Sequence, residues 1–182
     1  MPSKNKIAGK FKTILTGLFV ILLIGFIIPQ NFRMPVEGAT SKSYDQNSFW
    51  YYPWGKSVTH KGVDIFAKKG TAVFPASLGL VLFKGNIGQG GNVVLVLSAK
   101  WRLHYYAHLD SIHTSRFSFV SAGTQIGTVG NTGNAAGKPA HLHYTIRSII
   151  PLPWRIDKSV QGWKKMFYLD PVSLLNKITE PH

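Results

Sequence analysis

Residues 139–147 read Pro-Ala-His-Leu-His-Tyr-Thr-Ile-Arg, and the rest of the chain can be interpreted from this stretch outward. Side chains of a β-strand alternate between its two faces, so His141 and His143 point to the same side if the stretch is extended. Tyr, Thr and Ile favour a strand, whereas the Gly- and Asn-rich run at 130–138 favours turns. We therefore predict a strand over 142–147 with two convergent imidazoles at its start, which is half of a metal site.

The segments upstream share this β character. Each is short, contains branched or aromatic apolar side chains, and is bounded by Gly, Asn, Ser or Pro. The predicted strands cover residues 63–66, 71–74, 78–84, 92–97, 102–109 and 125–129. Short strands joined by such turns are typical of antiparallel sheets. The predicted fold class is mainly β, an antiparallel β-sandwich or open barrel, with an N-terminal transmembrane helix and a short, partly helical C-terminal tail.

Composition limits the chemistry of any metal site and the kind of partner. The 182 residues contain no cysteine, so disulfides and thiolate metal sites are excluded and a metal must be held by His, Asp or Glu. The 21 Lys and Arg against 7 Asp and Glu give a formal net charge of +14. This charge favours an anionic partner, such as membrane lipid, cell-wall polymer or nucleic acid, without choosing among them.

The N-terminal region combines a basic segment at 1–12 with a charge-free, mostly apolar stretch at 13–32. About 20 apolar residues cross a bilayer as a helix, and the small-x-small site of a signal peptide does not follow directly. We therefore predict an uncleaved single-pass anchor; a cleaved signal peptide and a buried helix are the alternatives. Four Lys before the span and Arg33 alone just after it predict a cytoplasmic N-terminus. The rest of the chain would then lie outside the cytoplasmic (inner) membrane, in the periplasm or cell envelope.

Composition also divides the remainder of the chain. Residues 33–47 lack apolar periodicity and contain Pro, Gly and Ser, which indicates a tether. A domain is predicted over 48–148; its aromatic run at 49–54 is either packing or the wall of a substrate groove. Residues 149–182 form a tail in which an Asp-Pro pair at 170–171 starts a short helix. We expect this tail to pack back on the domain.

His60 and Asp64 supply the other half of the predicted metal site. They share strand parity, and Gly62 between them allows the backbone to bend, so that they can also converge through a turn. With His143 they make a set of two imidazoles and one carboxylate with an open fourth position, the arrangement of a catalytic zinc. Zinc held in this way lowers the pKa of bound water to about 7, which provides a nucleophile at neutral pH. Iron(II) is possible from ligand identity alone.

Four motifs occur in an order that closely resembles the lysostaphin-like zinc endopeptidases: His60-x-x-x-Asp64, Tyr106-Ala-His108-Leu109, Gly130-Asn-Thr-Gly133 and His141-Leu-His143. The resemblance covers about residues 60–148. It implies that His60, Asp64 and His143 bind one zinc ion. Family members cut peptide bonds in the cross-links or bridges of peptidoglycan, so peptidoglycan peptide is the substrate that the resemblance implies.

The resemblance also implies roles for the remaining histidines of these motifs. His108 and His141 would be the catalytic pair, with His141 the better candidate for general base, and an iron(II) site would leave both idle. Two features depart from the family. The loop at 137–140 is longer than the Gly-Pro step that often precedes the His-x-His pair. In addition, some members place a tyrosine before the first zinc histidine, whereas here Trp54 lies six residues before His60.

Together these observations predict a membrane-anchored zinc metalloendopeptidase that hydrolyses peptidoglycan peptides by attack of a zinc-bound water. The main alternative is a non-catalytic wall-binding or hydrolase-activating module on the same fold; such members lack some ligands, whereas this chain has all three. A nucleic-acid binder is disfavoured, because no helix-turn-helix or ribonucleoprotein motif is visible. The sequence does not identify a regulatory protein partner. His104, His113 and His182 are expected to be ordinary packed or surface residues.

Overall fold

The computed structural model describes residues 4–179. Within that range the α-helices are α1 (Lys4–Ile27) and α2 (Pro171–Thr179). The strands, in chain order, are β1 (Val63–Phe66), β2 (Ala72–Val73), β3 (Gly79–Ile87), β4 (Gly91–Ser98), β5 (Arg102–Leu109), β6 (Phe119–Val120), β7 (Gly127–Thr128), β8 (His141–Ser148) and β9 (Tyr168–Leu169). Residues 1–3 of the predicted basic segment and residues 180–182 of the predicted tail, including His182, lie outside the described residues.

One antiparallel sheet dominates the domain, with strand order β1-β8-β5-β4-β3-β6 and β9 paired to β8. Strands β2 and β7 form a second, two-stranded antiparallel sheet. Strands β3, β4 and β5 form a meander, because the turns Gly88–Gly90 and Ala99–Trp101 are too short for a crossover connection. The predicted fold class, mainly β and antiparallel, is confirmed.

Two short strands, β6 and β9, were not among the predicted ones. Each has two residues, which is too short to show an alternating pattern in the sequence. Strand β6 pairs with the start of β3, and β9 pairs with the end of β8. Their strand conformation therefore depends on pairing with a longer strand whose backbone hydrogen-bonding groups are free. This dependence is a tertiary effect and leaves no pattern in the sequence.

Alternation along β8 separates the core from the site. Leu142, Tyr144 and Ile146 are fully buried in the hydrophobic core. His141 and His143 occupy the alternate positions and so project from the other face of the strand. A change of register by one residue would exchange the two sets of side chains. Burial of the apolar set therefore determines the direction of the histidines.

A buried polar network surrounds His104 in β5. Its Nδ1 lies 2.7 Å from the Tyr144 hydroxyl, and its Nε2 lies 2.8 Å from Ser98 Oγ and 3.2 Å from Gln30 Nε2. Burial, and to a smaller extent the charge of Arg102, lowers the pKa of His104 to about 3, so the ring is neutral at pH 7. His104 is therefore a packed, hydrogen-bonded residue rather than a site residue.

Helix α1 contains an apolar window, Gly9–Ile27, that is long and apolar enough to cross a membrane and is not buried by the rest of the described chain. A signal sequence near an N-terminus has the same length and composition. The helix ends at Ile27, shortly before Pro29, because the residue preceding a proline is disfavoured in helical conformation. The observed helix thus begins and ends earlier than the predicted span at 13–32.

The segment at 33–47, predicted as a tether, packs against the β-domain. Val36 is buried and forms a β-bridge with Val73. The backbone N–H of Arg33 donates to the carbonyl of Ala76 over 2.9 Å. These contacts pair backbone groups at the edge of the small sheet that would otherwise be free. The segment therefore lies on the domain surface rather than extending away from it.

The described part of the tail packs against the end of β8. Leu169 in β9 and Val172 and Leu175 in α2 are buried in the hydrophobic core. The Asp170 carboxylate accepts hydrogen bonds from the backbone N–H groups of Val172 and Ser173 over 2.9 and 3.3 Å. These bonds satisfy donors that the first turn of a helix leaves unpaired. The short C-terminal helix therefore starts at the Asp-Pro pair.

Candidate metal centre and catalytic cleft

The three predicted metal ligands meet at one point. His60 Nε2 lies 3.1 Å from His143 Nδ1 and 3.2 Å from Asp64 Oδ1, and His143 Nδ1 lies 2.7 Å from the same oxygen. Asp64 is directly opposite His143 in the antiparallel pair of β1 and β8, whereas His60 enters from the loop before β1. Strand pairing thus joins ligands that are 79 positions apart in the chain.

A hydrogen bond from the second ring nitrogen orients each ligand imidazole. His60 Nδ1–H donates to the carbonyl of Ser48 over 2.9 Å. His143 Nε2 lies 3.1 Å from Thr145 Oγ1, with the hydroxyl as its acceptor. In the neutral rings with these tautomers, His60 Nε2 and His143 Nδ1 carry the lone pairs that a metal could take, and a proton on either nitrogen would be donated to Asp64 instead. Such outer contacts hold a metal-binding ring in place and determine which nitrogen is free.

The electrostatics of the cluster suit a cation. Burial is the largest single effect on Asp64 and raises its pKa, but hydrogen bonds and charge from His143 and His60 outweigh it, and the pKa is held well below its usual range. Burial lowers the pKa of His143. The Asp64 carboxylate faces the two imidazoles, with ligand-atom separations of 2.7–3.2 Å. Because ligand atoms around a tetrahedral zinc are about 3.3 Å apart, the residues present fit zinc.

His108 and His141, the predicted catalytic pair, lie beside this cluster with ring centroids 5.1 Å apart. Both use Nδ1–H as a donor to a backbone carbonyl, His108 to Thr132 over 2.9 Å and His141 to Pro139 over 2.8 Å. In each neutral ring Nε2 therefore carries the free lone pair, which is the form that a general base needs. His141 Nε2 lies 3.9 Å from Asp64 Oδ2, so its lone pair adjoins the ligand set.

The backbone of His108 is strained. Its φ of 63° lies in the left-handed region, which costs a residue other than glycine about 1–3 kcal/mol. The hydrogen bond to Thr132 helps to hold this conformation. Burial, followed by the charges of His143 and His141, lowers the pKa of His108 to about 4, so its ring is neutral at pH 7. Strain of this kind is concentrated at functional sites.

An open cleft of about 790 Å³ is lined by four of the predicted site residues: Asp64, His108, His141 and His143. Residues 53–57 contribute to its lining from one segment. The loop at 137–140, which is longer than usual for the family, contributes Lys138 and Pro139, and Asn134 and Ala135 line the cleft just before it. The departure seen in the sequence thus lies in the cleft lining, where loop length changes the space available to a substrate.

Two aromatic residues of the site had no role in the sequence interpretation. The Trp54 indole stacks on His60, with ring centroids 4.2 Å apart and planes at 30°, so the aromatic run at 49–54 supports a ligand. Tyr105 lines the cleft with its ring 6.4 Å from that of His143, and burial raises its pKa. Tyr105 lies two residues before Ala107, which pairs with His143, so both face the same side of β5. This alternation could have indicated that Tyr105 lies at the site. No sequence signal indicates the Trp54 contact.

Gly62 leaves room for the ligand strand. A Cβ at this position would overlap the carbonyl oxygen of Tyr144 and lie 2.5 Å from Thr145 Oγ1 and 3.1 Å from His143 Cε1. Gly62→Ala is therefore expected to push the loop away from β8, destabilise the fold by about 1–3 kcal/mol and weaken zinc binding. Thermal unfolding and zinc titration measure both effects. Gly123→Ala is the matched control, because nothing lies within 4 Å of a Cβ there; equal effects of the two substitutions would contradict the prediction.

Fold and site together define a lysostaphin-like β-domain with a His, Asp, His cluster in an open cleft. Residues 58–157 match the family model described as Peptidase family M23. Because this match covers more than half of the chain, the chain belongs to Peptidase family M23. The resemblance predicted from the motifs is confirmed.

Individual relatives include both enzymes and activators. DD-carboxypeptidase/endopeptidase Mpg of Neisseria meningitidis is 39% identical over 88 residues, which is 48% of this chain and 20% of that protein. Murein hydrolase activator NlpD of Escherichia coli is 35% identical over 89 residues, 48% of this chain and 23% of that protein. The chain thus spans about a fifth of the length of these curated relatives, and the similarity is to one domain of each.

Among solved structures, the catalytic domain of lysostaphin from Staphylococcus simulans superimposes with a TM-score of 0.58 at 25% identity. The superposition covers 74% of this chain and 93% of that domain. The chain therefore has the fold of a peptidase catalytic domain.

Proposed function

We propose that this chain is a membrane-anchored zinc metalloendopeptidase that hydrolyses peptide bonds in peptidoglycan cross-links. The observation that carries the proposal is the complete set of groups in one cleft. Three ligand atoms lie within 4.8 Å of one another, and two further histidines present a free Nε2 beside them. Endopeptidase Mpg, whose matching domain is 39% identical, supports the reaction class.

In the proposed mechanism, His60, Asp64 and His143 would hold one zinc ion, which supplies Lewis-acid chemistry by polarising a carbonyl and lowering the pKa of water. His141 accepts at Nε2 the proton that the attacking water loses, because its Nδ1–H bond to Pro139 keeps that lone pair free. The water oxygen bonds to the carbonyl carbon. The proton then passes to the amine nitrogen as the C–N bond breaks.

His108 acts on the oxygen that becomes negative when water adds to the carbonyl carbon. Its proton in the neutral ring is on Nδ1 and is donated to Thr132, so its Nε2 can donate only when the ring is protonated. A pKa of about 4 keeps the ring neutral in the free site. A neighbouring negative oxygen favours the protonated ring, so His108 takes a second proton from solvent as the tetrahedral intermediate forms and returns it to solvent when the intermediate collapses.

The proposed location is the cytoplasmic membrane, with the N-terminus inside and the domain in the cell envelope. Helix α1 supports this location through its apolar window Gly9–Ile27. The net charge of +14 suits anionic lipid headgroups and the carboxylates of wall peptides. The proposed partners are therefore the membrane, through α1, and peptidoglycan peptide.

A hydrolase-activating module is the second candidate function, because murein hydrolase activator NlpD matches over 89 residues at 35% identity. The two candidates differ in chemistry. An enzyme of this class needs bound zinc and a free general base, whereas an activator acts through a protein partner and needs neither. The retained ligand set and the two histidines with a free Nε2 therefore favour the enzyme.

The experiment that tests the proposal uses the full chain purified in detergent. Elemental analysis measures zinc per chain, and chromatography measures the muropeptides released from purified peptidoglycan. We expect about one zinc per chain, consistent with a single set of three ligands, and conversion of cross-linked to uncross-linked muropeptides that stops with a chelator and resumes with added zinc. A folded chain without zinc contradicts the enzyme, and zinc binding without cleavage supports the activator.

A further inference from the structure

We propose that the β-domain is docked on the outer end of α1 and rests on the lipid bilayer through a membrane-facing patch formed by Leu78, Trp101 and Phe119. The inference rests on the proposed function, because it requires α1 to span a membrane. Beyond anchoring by the helix, the domain itself would then have an interaction surface, and its partner would be the same bilayer.

The turn between β4 and β5 contacts α1 directly. The indole N–H of Trp101 donates to the backbone carbonyl of Leu22 over 2.9 Å. Gly25, about one helical turn further along, allows this approach, since a Cβ there would lie 2.5 Å from the indole. An indole in apolar surroundings needs a partner for its N–H, and the helix carbonyl provides one without water. Lys100 and Trp101 have φ of 58° and 55°, a strained conformation that persists only where the surroundings hold it.

The position of this contact places the turn at the membrane interface. Leu22 lies five residues before the end of α1 at Ile27, which corresponds to about 7–8 Å along the helix axis. When the window Gly9–Ile27 occupies the hydrocarbon, the indole therefore lies about 7–8 Å inside its outer edge, which is within the ~5–10 Å to which interfacial side chains are buried. Tryptophan is enriched at this level, and the exposed cation of Lys100 beside it suits anionic headgroups.

Two neighbouring apolar side chains extend the contact surface. Leu78 is 60% exposed and Phe119 is 77% exposed. Strand pairing places them at the sheet end that carries the β4–β5 turn, because Gly79 pairs with both Ser98 and Val120. Exposing apolar side chains of this size to water is unfavourable, and contact with a lipid surface would remove them from water.

An apolar groove joins the patch to the helix. It has a volume of about 260 Å³ and is lined by residues that include Gly25, Ile28, Leu78, Trp101 and Phe119. The groove is continuous with the exposed apolar surface of α1, which a bilayer surrounds in the proposed arrangement. Lipid at the helix therefore reaches the groove without crossing water, which argues for the bilayer as the occupant.

Docking would place the catalytic cleft at a defined height. Strand β5 begins at Arg102, beside the turn, and reaches His108 after six residue steps, about 20 Å at 3.3 Å per residue. The patch and the cleft therefore lie at opposite ends of the same strand. The enzyme would cleave peptides within about 20 Å of the patch, because its domain is not free to swing on a linker.

The absence of cysteine allows a direct test in the full-length protein. Single variants Leu78→Cys and Phe119→Cys are labelled with an environment-sensitive fluorophore and reconstituted in phosphatidylethanolamine–phosphatidylglycerol vesicles with brominated acyl chains. Because side chains at an interface are buried about 5–10 Å, we expect about twofold or greater quenching at both sites. Ile87→Cys is the matched control, an exposed apolar residue at the other end of β3. Leu18→Cys reports on the helix.

The outcomes separate docking from anchoring and from catalysis. Quenching at Leu18 with no more quenching at Leu78 and Phe119 than at Ile87 overturns docking and leaves the anchor intact. No quenching at Leu18 overturns both, whereas zinc-dependent cleavage is measured independently. The labels at Leu78 and Phe119 could instead be shielded from water without being quenched, and become exposed when the protein is diluted. That result would indicate a second copy of the chain and overturn the bilayer as partner.

A substitution in the helix tests the docking contact itself. Gly25→Leu is expected to displace Trp101, because the new side chain would occupy the position of the indole. The domain would then move off the interface, where side chains are buried about 5–10 Å, and quenching at Phe119 would fall about twofold, towards the value at the Ile87 control. Gly17→Leu is the matched control in the same helix, because nothing lies within 4 Å of a Cβ there. Equal quenching in the two variants would overturn the proposed role of the Trp101 contact.

Discussion

His143→Ala is expected to remove the bound zinc and, with it, the hydrolysis of peptidoglycan. The Nδ1 of His143 lies 2.7 Å from Asp64 Oδ1 and 3.1 Å from His60 Nε2, at the centre of the ligand set. Changes that merely misorient a metal ligand cost about 10- to 100-fold in affinity or activity, so loss of a ligand should cost more than about 100-fold. Zinc content and the rate of muropeptide release, measured on the same preparation, test the prediction.

The His143 result depends on a folded variant and on a suitable control histidine. The neighbours of His143 in β8, Leu142 and Tyr144, remain buried, so thermal unfolding should still show a cooperative transition. His113→Ala is the control, because that side chain is exposed and bonds only locally, to Ser111, over 2.9 Å. A folded His143→Ala variant that keeps about one zinc and full activity would refute the ligand assignment.

His141→Ala is expected to retain zinc and lose activity by about 10²- to 10⁴-fold, the usual contribution of a general base. His141 lies outside the group of three ligand atoms, with its Nε2 3.9 Å from Asp64 Oδ2. Its Nδ1–H bond to Pro139 aims the free nitrogen at the cleft. Elemental analysis and turnover of purified peptidoglycan distinguish loss of a base from loss of metal.

The His141 variant tests whether His141 serves as the general base or as a metal ligand like His143, two positions further along the strand. Loss of zinc in His141→Ala would place His141 among the ligands, whereas an unchanged rate would remove it from the reaction. His108→Ala is also expected to keep zinc, because its Nδ1 is bonded to Thr132 and it lies outside the ligand group. The comparison of the two variants therefore tests the catalytic pair independently of metal binding.

Residue types and short spacings predicted much of the fold and of the candidate site. Strand parity placed His141 and His143 on one side of β8, and the absence of cysteine restricted any metal to His, Asp or Glu ligands. The turn residues between the predicted strands indicated the antiparallel fold class. The strands β6 and β9 were missed because two residues carry no periodicity, and 33–47 was interpreted as a tether because packing against a sheet edge leaves little pattern in composition.

The order of the residues was sufficient to predict the kinds of candidate ligand, the faces of the strands and the family, because these depend on side-chain chemistry and on local geometry. The pairing of Asp64 with His143 and the stacking of Trp54 on His60 depended on long-range strand register and packing. Long-range packing also decided which carbonyls orient the proposed catalytic histidines, and it produced the contact between Trp101 and α1. Every residue has a carbonyl, so only the folded chain shows which ones lie within hydrogen-bonding distance of an imidazole.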